Sequence, residues 1–305
     1  MLVYRLKHAW KYFKRDGPVW VARVTADHLV QGLYRLLPPP VYMSLRMFFR
    51  LGYWPNIYHP RSLNEKMVHR MLFISNPLYS LVADKWRVRE YVAQRGLAYI
   101  LNEVYWVGNN PEEIPFNDLP DQFVIKANHG CHWNILVTDK STLNRQLTIR
   151  QCRKWLFQKF SKVSRLYESY YDSIQPLILV ERFLKEEKHD ALLDYKFLCF
   201  HGVPKYIYVV DNSGDNPTLT FYDTNWNQLN IRYVFPIGRA IRQPTKLTEM
   251  LEIAAQLSKD FDFVRIDLYA PNDRTIIAGE ITLAPTSGFG PFYPRVWDFR
   301  LGELW

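Results

Sequence analysis

The sequence is poor in the features that mark secreted, membrane-spanning or metal-cluster proteins. It has three cysteines in 305 residues, Cys131, Cys152 and Cys199, and their wide spacing matches neither a disulfide framework nor a metal-ligand pattern. No apolar run is long enough to cross a bilayer, and the N-terminus lacks the uninterrupted apolar core of a signal peptide. We therefore expect a soluble, cytoplasmic protein in a reducing compartment.

Three further absences narrow the function. The chain has no internal repeat and no low-complexity tail, and it carries no recognised nucleic-acid-binding motif. No Gly-Lys-Ser/Thr sequence opens a helix, which excludes a Walker phosphate loop. Apolar and aromatic residues are plentiful, at 48% and 16%, so the chain can build the core of one large or two ordinary domains.

Positive charge is concentrated near the N-terminus. Residues 1–60 hold nine lysines and arginines against two aspartates, a net charge of +7, whereas the other 245 residues carry only +2. Aromatic residues such as Trp10 and Trp20 are interspersed among the basic ones. A stretch of this kind either lies on an anionic membrane surface or packs its aromatic side chains on the main domain. We expect peripheral contact with the inner face of a membrane through residues 1–40, and no nucleic acid partner.

Proline and helix-start signals divide the chain. Pro38-Pro39-Pro40 separates the basic stretch from a predicted helix at 41–52, and Ser62-Leu63-Asn64-Glu65 has the pattern of a capping box. Further helices are predicted at 77–94, 145–161 and 245–260, and short strands at 104–107, 123–126, 135–137, 177–181, 193–200, 205–210 and 219–222. Mixed strands with intervening helices predict an α+β fold rather than a doubly wound parallel sheet.

Two carboxylates face each other in a hairpin predicted over residues 264–282. Both ends alternate with period two, and the middle carries proline and Asn-Asp turn chemistry. With the loop at 272–275, Asp267 lies directly opposite Glu280. The polar face then carries Arg265, Asp267, Glu280 and Thr282, and the apolar face carries Val264, Ile266, Leu268, Ile277, Gly279 and Ile281. Because like charges directly across a strand pair are destabilising, either Arg265 neutralises one acid or a hard cation such as Mg²⁺ lies between them.

A lysine near a turn offers phosphate-binding chemistry. Lys126 ends a buried strand and is followed by a loop that contains Gly130, after which a second strand begins. Such a lysine can reach phosphate oxygens while loop N–H groups cradle them, although an ordinary hairpin fits the pattern equally well. Beside it, His129 and His132 are candidate bases by proximity, and Trp133 could shield the site.

Two later strands add charged residues. The strand that ends at Glu181 is typical of an adenine hinge, where backbone groups and a carboxylate meet the base. Asp194 and Lys196 share one face of the following strand, either as part of a site or as a surface ion pair of little energetic value.

Taken in order, these segments resemble the ATP-grasp enzymes, and in particular the TupA-like ATP-grasp family, which is named for teichuronopeptide synthesis and associated with bacterial surface polysaccharide genes. The likeness covers about residues 45–305 and is carried by residues 62–66, 83–91, the Lys126 strand, 194–197, 264–267 and 279–282. Two departures stand out: Thr282 takes a position usually held by asparagine, and the loop after Lys126 has a single glycine.

The resemblance implies a role for each candidate residue. Lys126 would contact the ATP phosphates and Glu181 the adenine or ribose, with Lys85 and Arg89 as a further anion-contacting pair one helical turn apart. Asp267 and Glu280 would hold Mg²⁺ together with Thr282. Arg265 and Lys196 would be the catalytic cations that stabilise phosphoryl charge, and Lys196 would also contact the nucleotide. Residues 286–290 would form a flexible loop on the substrate side.

The resemblance also implies an architecture and a reaction. Two α+β subdomains would sandwich ATP behind a helical, basic extension, with boundaries at 1–40, 41–115, 116–180 (the lid) and 181–305. The expected activity is a carboxylate–amine ligase that works through an acyl phosphate and attaches an amino acid or similar group to a sugar acid in capsule or other surface polysaccharide biosynthesis. An ATP-grasp kinase acting on a sugar hydroxyl, a glycosyltransferase-like enzyme and a non-catalytic assembly protein remain the alternatives.

Overall fold

The computed structural model describes residues 2–186, 192–214 and 216–305, with side chains from Gly17 onward. Its helices are α1 (Leu2–Gln31), α2 (Pro39–Leu51), α3 (Leu63–Phe73), α4 (Pro77–Ala83), α5 (Val88–Gln94), α6 (Arg145–Leu156), α7 (Phe160–Ser164), α8 (Leu247–Ser258) and α9 (Val296–Glu303). The strands are β1 (Val104–Gly108), β2 (Phe123–Ala127), β3 (Asn134–Val137), β4 (Ile178–Arg182), β5 (Asp194–Phe200), β6 (Val203–Asp211), β7 (Thr218–Asp223), β8 (Gln228–Leu229), β9 (Arg232–Tyr233), β10 (Phe263–Tyr269), β11 (Ile277–Thr282) and β12 (Phe292–Tyr293). The predicted α+β fold is confirmed.

The chain divides into two compact units, which we call unit 1 and unit 2. Unit 1 comprises Met1–Ile74 and Thr286–Glu303, and unit 2 comprises Ser75–Pro285 and Leu304–Trp305. None of the helices in the described part of the chain is both long and apolar enough to span a membrane. The four-part division predicted from the sequence stays a prediction.

Unit 1 begins with a broken helix that is held by a buried ion pair. α1 is interrupted at Gly17, whose φ of 79° is a conformation that glycine adopts at little cost, and Pro18 follows directly. After the break, Asp27 is buried and its carboxylate accepts from Arg46 Nε of α2 at 2.7 Å. Pro39 and Pro40 form the first turn of α2, where a missing N–H is tolerated. The second half of α1 is therefore packed on α2.

The predicted capping box at the start of α3 is confirmed. Ser62 Oγ accepts from the N–H of Glu65, and the Glu65 carboxylate accepts from the N–H groups of Ser62, Arg61 and Asn56. The segment predicted as a flexible loop, residues 286–290, instead packs on this helix: Asn64 Nδ2 donates to Gly290 O at 2.9 Å, and the Phe289 ring is buried. These contacts anchor two residues of the segment, and its predicted flexibility and place on the substrate side stay predictions.

Unit 2 contains two antiparallel sheets. The four-stranded sheet has the order β1-β4-β2-β3, and α6 packs against it through Cys152 and Trp155. The six-stranded sheet has the order β11-β10-β5-β6-β7-β8. One face of this sheet packs on α8 to form the main core, through residues that include Phe197, Cys199, Val264 and Ile266. Since side chains alternate along a strand, the residues between them, Lys196 and Arg265 among them, lie on the opposite face.

Two helices are shorter than their patterns predict. The predicted helix 77–94 is split into α4 and α5 because the Asp84 side chain accepts from the N–H groups of Trp86 and Arg87, at 2.8 and 3.2 Å. An aspartate in this arrangement competes with the helical hydrogen bonds. The predicted helix at 145–161 similarly ends at Leu156, before α7.

Candidate active site

The hairpin of β10 and β11 carries a β-bulge at the position of the two acids. Arg265 pairs with Thr282, as predicted, but beyond Ile266 the register shifts by one residue, so that Leu268 pairs with Ala278. Two residues of β11, Gly279 and Glu280, therefore span the interval opposite Asp267. The prediction that Asp267 and Glu280 form a directly opposed pair is wrong, because Asp267 faces a two-residue bulge.

The bulge also changes which residues line each face. Ile276 and Ala278 pack in the main core, whereas the predicted core position, Ile277, pairs with Tyr269. Gly279 lies on the polar face, because a Cβ there would come within 2.8 Å of the Tyr269 ring and 3.3 Å of Asp267 Cβ. Only glycine allows β11 to pass this close to Asp267.

Asp267 is the centre of a buried charge cluster. Its carboxylate accepts from Arg265 Nε and Nη2 at 2.6 and 2.7 Å, and from Lys196 Nζ at 2.5 Å. The side chain of Asp267 is 4% exposed, and those of Arg265 and Lys196 are 11% and 13% exposed. Although burial opposes the charge on Arg265, Asp267 outweighs it and raises the pKa of the guanidinium above its usual value. Both predicted catalytic cations thus bind the first predicted metal ligand.

Asp194 and Tyr208 complete this cluster. Asp194 Oδ2 pairs with Lys196 Nζ at 2.6 Å, while its Oδ1 is buried without a hydrogen-bond partner. Burial raises the pKa of this carboxyl, although the positive charge of Lys196 acts to lower it. Tyr208, which pairs with Lys196 across β5 and β6, accepts from Arg265 Nη1 at 3.1 Å. Tyr208 thereby orients the guanidinium toward Asp267.

Glu280 and Thr282 lie at the edge of the cluster. Thr282 Oγ1 accepts from Arg265 Nη2 at 2.9 Å, whereas the Glu280 carboxylate is 3.9 Å from the same nitrogen and 38% exposed. Arg265 therefore lies near both acids, Asp267 and Glu280. This agrees with one of the two interpretations of the sequence, in which Arg265 neutralises one of the acids. Formal charges still do not balance: three carboxylates (Asp194, Asp267 and Glu280) face two cations, which leaves a net charge of −1.

The four-stranded sheet carries the second group of predicted residues. Lys126 Nζ of β2 donates to Glu181 Oε2 of β4 at 2.7 Å, with the lysine side chain 31% and the glutamate 9% exposed. Arg89 also lies near Glu181, and burial lowers the pKa of its guanidinium although the glutamate opposes this. The structure therefore brings Lys126 and Glu181, predicted for different parts of ATP, into one ion pair.

Lys85 lies beside the loop that follows β2. Its Nζ donates to the carbonyl of Gly130, and its backbone N–H donates to Asn128 O at 3.1 Å. Arg89 Nη1 instead donates to Asn102 O at 2.8 Å. The prediction that Lys85 and Arg89 share a helix face is wrong, because Lys85 belongs to the turn between α4 and α5.

The loop after β2 also approaches Glu280. Burial raises the pKa of the Cys131 thiol to about 11, and Glu280 adds to this effect. Cys131 Sγ in turn contacts Tyr171 OH at 3.1 Å. Lys85 acts on the same thiol with the opposite sign, so both Lys85 and Glu280 lie near Cys131.

The two histidines of the loop differ in their surroundings. His129 is buried, its Nδ1 contacts Asn128 Oδ1 and its Nε2 contacts Trp155 O, at 3.0 and 3.1 Å, and burial lowers its pKa. With both ring nitrogens engaged, His129 stabilises the loop and is not placed to act as a base. His132 is exposed, whereas Trp133 stacks parallel to Trp155 with ring centroids 6.5 Å apart. Trp133 therefore packs beneath the loop.

The charges of unit 2 are divided between the two sheets. Lys85, Arg89 and Lys126 against Glu181 give the four-stranded side a formal charge of +2, and the cluster on the six-stranded sheet has −1. Lysines beside loop N–H groups bind phosphate oxygens, and oxygen donors with surplus negative charge bind divalent cations. The arrangement can therefore hold a polyphosphate together with a hard cation.

The residues present fit a magnesium ion. Asp267, Glu280 and Thr282 offer oxygen donors, the ligands that Mg²⁺ prefers, and the cluster has both surplus negative charge and the buried, unpartnered oxygen of Asp194. Among the described residues, no three histidine, cysteine or acidic side chains converge as a ligand set. Mg²⁺ would therefore take further ligands from water and phosphate, as it usually does.

Sequence analysis missed the role of Tyr208 and the orphaned oxygen of Asp194. Asp194 was recognised only as the neighbour of Lys196, and Tyr208 only as part of a strand. Pairing β5 with β6 in the register that aligns their apolar residues would have placed Tyr208 beside Lys196. The strand pattern thus contained a signal for Tyr208, but the register had to be known.

The fold is that of an ATP-grasp protein. The chain belongs to the TupA-like ATP-grasp family, whose model matches residues 65–305. The predicted family and the predicted ATP-grasp fold are therefore confirmed. No curated protein matches the sequence significantly.

Solved structures with a similar fold include ligases and a synthase. D-alanine–D-alanine ligase from Bacillus anthracis, crystallised with ATP, is 13% identical with a TM-score of 0.42 over 67% of this chain and 55% of that one. N5-carboxyaminoimidazole synthase from Aspergillus clavatus is 11% identical with a TM-score of 0.40 over 68% and 46%. D-cycloserine synthetase DcsG is 13% identical with a TM-score of 0.42 over 75% and 71%. The chain thus spans about half the length of the first two.

Proposed function

We propose that the protein is an ATP- and Mg²⁺-dependent carboxylate–amine ligase that acts in bacterial surface polysaccharide biosynthesis. The observation that carries the proposal is the buried Asp267–Arg265–Lys196 cluster, with Glu280 at its exposed edge beside the loop that follows Lys126. Membership of the TupA-like ATP-grasp family supports the choice of reaction. The expected product is an amide between a sugar acid and an amino acid or similar amine.

In this proposal the protein acts by positioning and charge neutralisation. Lys126, Lys85 and the loop N–H groups bind the phosphates, and Glu181 meets the adenine or ribose after exchanging its contact with Lys126. Arg265 and Lys196, already oriented by Asp267, face the oxygens on which negative charge develops. Because these cations are fixed before substrate binds, little reorganisation is needed during the reaction.

Asp267 and Glu280 would hold Mg²⁺, with Thr282 as a hydroxyl donor. When bound, the ion would neutralise phosphate charge and polarise the transferred phosphoryl group. The carboxylate substrate then attacks the γ-phosphorus, ADP leaves, and the acyl phosphate reacts with the amine to release free phosphate. This role for the metal rests on the donor chemistry of the three side chains.

The same site would also support a kinase that transfers the γ-phosphoryl group to a sugar hydroxyl. Because the ammonium of a ligase substrate and the hydroxyl of a kinase acceptor must both lose a proton, His129, whose two ring nitrogens are engaged, does not distinguish the two reactions. Product mass separates the two, since a kinase adds phosphate to the acceptor whereas a ligase adds an acyl group and releases phosphate.

The test is ADP release from Mg-ATP with panels of amino acids and uronic acids. Replacing both Asp267→Asn and Glu280→Gln should abolish ADP release that the wild type shows with its acceptor. A matched control replaces two exposed acids of unit 2, Asp118→Asn with Glu252→Gln, and should retain full activity. Undiminished turnover in the Asp267/Glu280 variant would refute the proposal.

A further inference from the structure

Unit 1 presents charge of nearly one sign to solvent. Within residues 17–74 the chain has two acids, Asp27 and Glu65, and both are buried, at 1% and 2% exposed. Asp298 in the C-terminal part of the unit is likewise 2% exposed, so Glu303 is the exposed acid among the side chains that the structure describes in this unit. Among the same described side chains, the exposed arginines are Arg23, Arg35, Arg61, Arg295 and Arg300.

The burial of the acids has a structural cause that is independent of any site. Asp27 forms an ion pair with Arg46. The Glu65 carboxylate accepts hydrogen bonds from N–H groups at the start of α3 and before it. Both carboxylates are therefore removed from solvent by the fold, together with two arginines, Arg46 and Arg70. The exposed side chains described in unit 1 include five arginines and one acid, Glu303.

The same unit exposes large apolar side chains. Val41 and Phe48 lie seven residues apart on α2 and hence on one face of the helix, and the Trp54 ring is 5.9 Å from that of Phe48. All three are exposed, with Trp54 63% accessible. Leu29 and Leu36, at the end of α1 and in the turn after it, are 73% and 75% exposed. We call these five residues the apolar strip.

α2 has apolar residues on both of its sides. Its inner side buries Tyr42, Met43 and Met47, whereas the described side chains do not cover Val41 and Phe48 on the outer side. A soluble helix normally turns polar residues outward. Exposed apolar residues on a unit that also exposes several arginines are the composition of a segment that lies in the interface of an anionic membrane.

We propose that the apolar strip and the exposed arginines of unit 1 dock this protein on the surface of an anionic lipid bilayer. The arginines would pair with lipid phosphates, and the apolar strip would enter the boundary between headgroups and acyl chains. Lipid is favoured over an acidic glycan because a hydrated polyanion would engage the arginines and leave Leu29 and Leu36 in water. The proposal is independent of the catalytic chemistry in unit 2.

A truncated chain cannot test this docking. A start near Met43 would remove Asp27 and leave Arg46, which is buried, without its carboxylate. The loss of one partner of a buried ion pair is strongly destabilising. Substitutions at exposed positions of the full chain avoid this damage.

The experiment is co-sedimentation of the full chain with vesicles. The wild type should pellet with phosphatidylglycerol vesicles, remain in solution with phosphatidylcholine vesicles, and be released as salt rises from about 0.1 M to about 1 M, because screening shortens the reach of charge from about 10 Å to about 3 Å. The triple variant Leu29→Ser/Leu36→Ser/Trp54→Ser should bind the anionic vesicles about tenfold less, since the bound apolar area is lost. Melting temperature and far-UV circular dichroism verify its fold.

The matched control removes three exposed apolar side chains of unit 2. Leu136→Ser/Leu147→Ser/Phe157→Ser changes residues that are 61%, 57% and 90% exposed and should bind vesicles like the wild type. If the first triple variant fails to fold, Leu36→Glu alone, at a site three-quarters exposed, should weaken binding in the same direction.

Three outcomes would overturn the proposal. The first is a wild type that stays in solution with anionic vesicles at low salt. The second is a Leu29/Leu36/Trp54 variant that pellets as well as the wild type while soluble polyuronate competes for binding, which would make the surface a glycan site. The third is loss of a wild-type dimer in that variant, by light scattering, without vesicle binding by the wild type, which would make the apolar strip an interface between two copies of the chain.

Discussion

The charges of the six-stranded sheet are held far more firmly than those of the four-stranded sheet. Asp267, 4% exposed in its side chain, accepts from both Arg265 and Lys196, and Tyr208 holds the guanidinium from the other side. On the four-stranded sheet Lys126 donates to Glu181 and keeps 31% of its side chain exposed. One cluster is locked by several contacts, whereas the other depends on a single ion pair.

This difference shows how one site can combine fixed and exchangeable charges. Cations that are oriented in advance stabilise developing charge without reorganisation. A lysine with one partner and 31% of its side chain exposed can transfer to a ligand more readily than Lys196, which two carboxylates hold. We therefore expect substitutions on the six-stranded sheet to affect stability, and those on the four-stranded sheet to affect nucleotide affinity.

The largest expected effect is on stability, and it separates the two predicted metal ligands. Asp267→Asn leaves Lys196 with Asp194 as its carboxylate and leaves the buried Arg265 with Glu280 3.9 Å away, so it should lower the free energy of unfolding by about 3–5 kcal/mol, the usual cost of breaking a buried ion pair. Glu280→Gln, at a 38% exposed position 3.9 Å from Arg265, should change it by less than about 0.5 kcal/mol. Urea unfolding of each single variant measures both. Equal losses of unfolding free energy in the two variants would contradict the view that Asp267 is held by several buried contacts and Glu280 is not.

The second expected effect is on nucleotide binding. Lys126→Met removes a cation that could form a charge-assisted hydrogen bond of about 1.5–3 kcal/mol with phosphate, so the dissociation constant for Mg-ATP should rise about tenfold to a hundredfold. Lys205→Met, which replaces an exposed lysine of β6, is the matched control and should bind like the wild type. Isothermal titration calorimetry gives both constants. If the Lys126 variant binds Mg-ATP with unchanged affinity, Lys126 has no role in nucleotide binding.

The smallest expected effect is a pH dependence that arises at Asp194. Because burial raises the pKa of this carboxyl in the folded protein, the folded state binds the proton more tightly than the unfolded chain does. Stability should therefore fall as pH rises from the unfolded pKa, about 3.9, through the raised folded pKa. Asp194→Asn should remove that part of the decline, measured as the difference between wild type and variant in unfolding free energy from about pH 4 to pH 7. If the unfolding free energies of the wild type and the variant change in parallel with pH, the charge on Asp194 is well compensated in the folded protein.

Much of the fold could be predicted from local sequence patterns. The α+β class, the capping box at Ser62 and the strands of both sheets apart from the two-residue β8 follow from alternation, turn residues and helix-start signals. The bulge at Gly279 could not be predicted this way, because period-two alternation continues across residues 276–282 and only the close approach to Tyr269 breaks the register. The split between α4 and α5 depends in part on Asn128 Nδ2, which donates to Asp84 Oδ1 at 2.9 Å from 44 residues away.

The candidate site shows the same limit. Arg265, Asp267 and Lys196 were selected as charged residues on strand faces, and the family resemblance supplied their roles. That Lys126 and Glu181 form one pair, and that Asp267 binds two cations, depends on which strands are neighbours. The roles in nucleotide and metal binding stay predictions.

The sequence by itself determined the family, the α+β class and the set of residue types available for phosphate and cation binding, because these depend on local patterns and on motifs in a fixed order. Only the tertiary structure decided that Asp267 is buried and bound by two cations while Glu280 stays exposed, and that Asp27 and Glu65 are buried while Arg23, Arg35 and Arg61 are exposed. Burial and pairing depend on contacts between residues far apart in the chain, so the same carboxylate can be a buried anchor or an exposed ligand according to its neighbours.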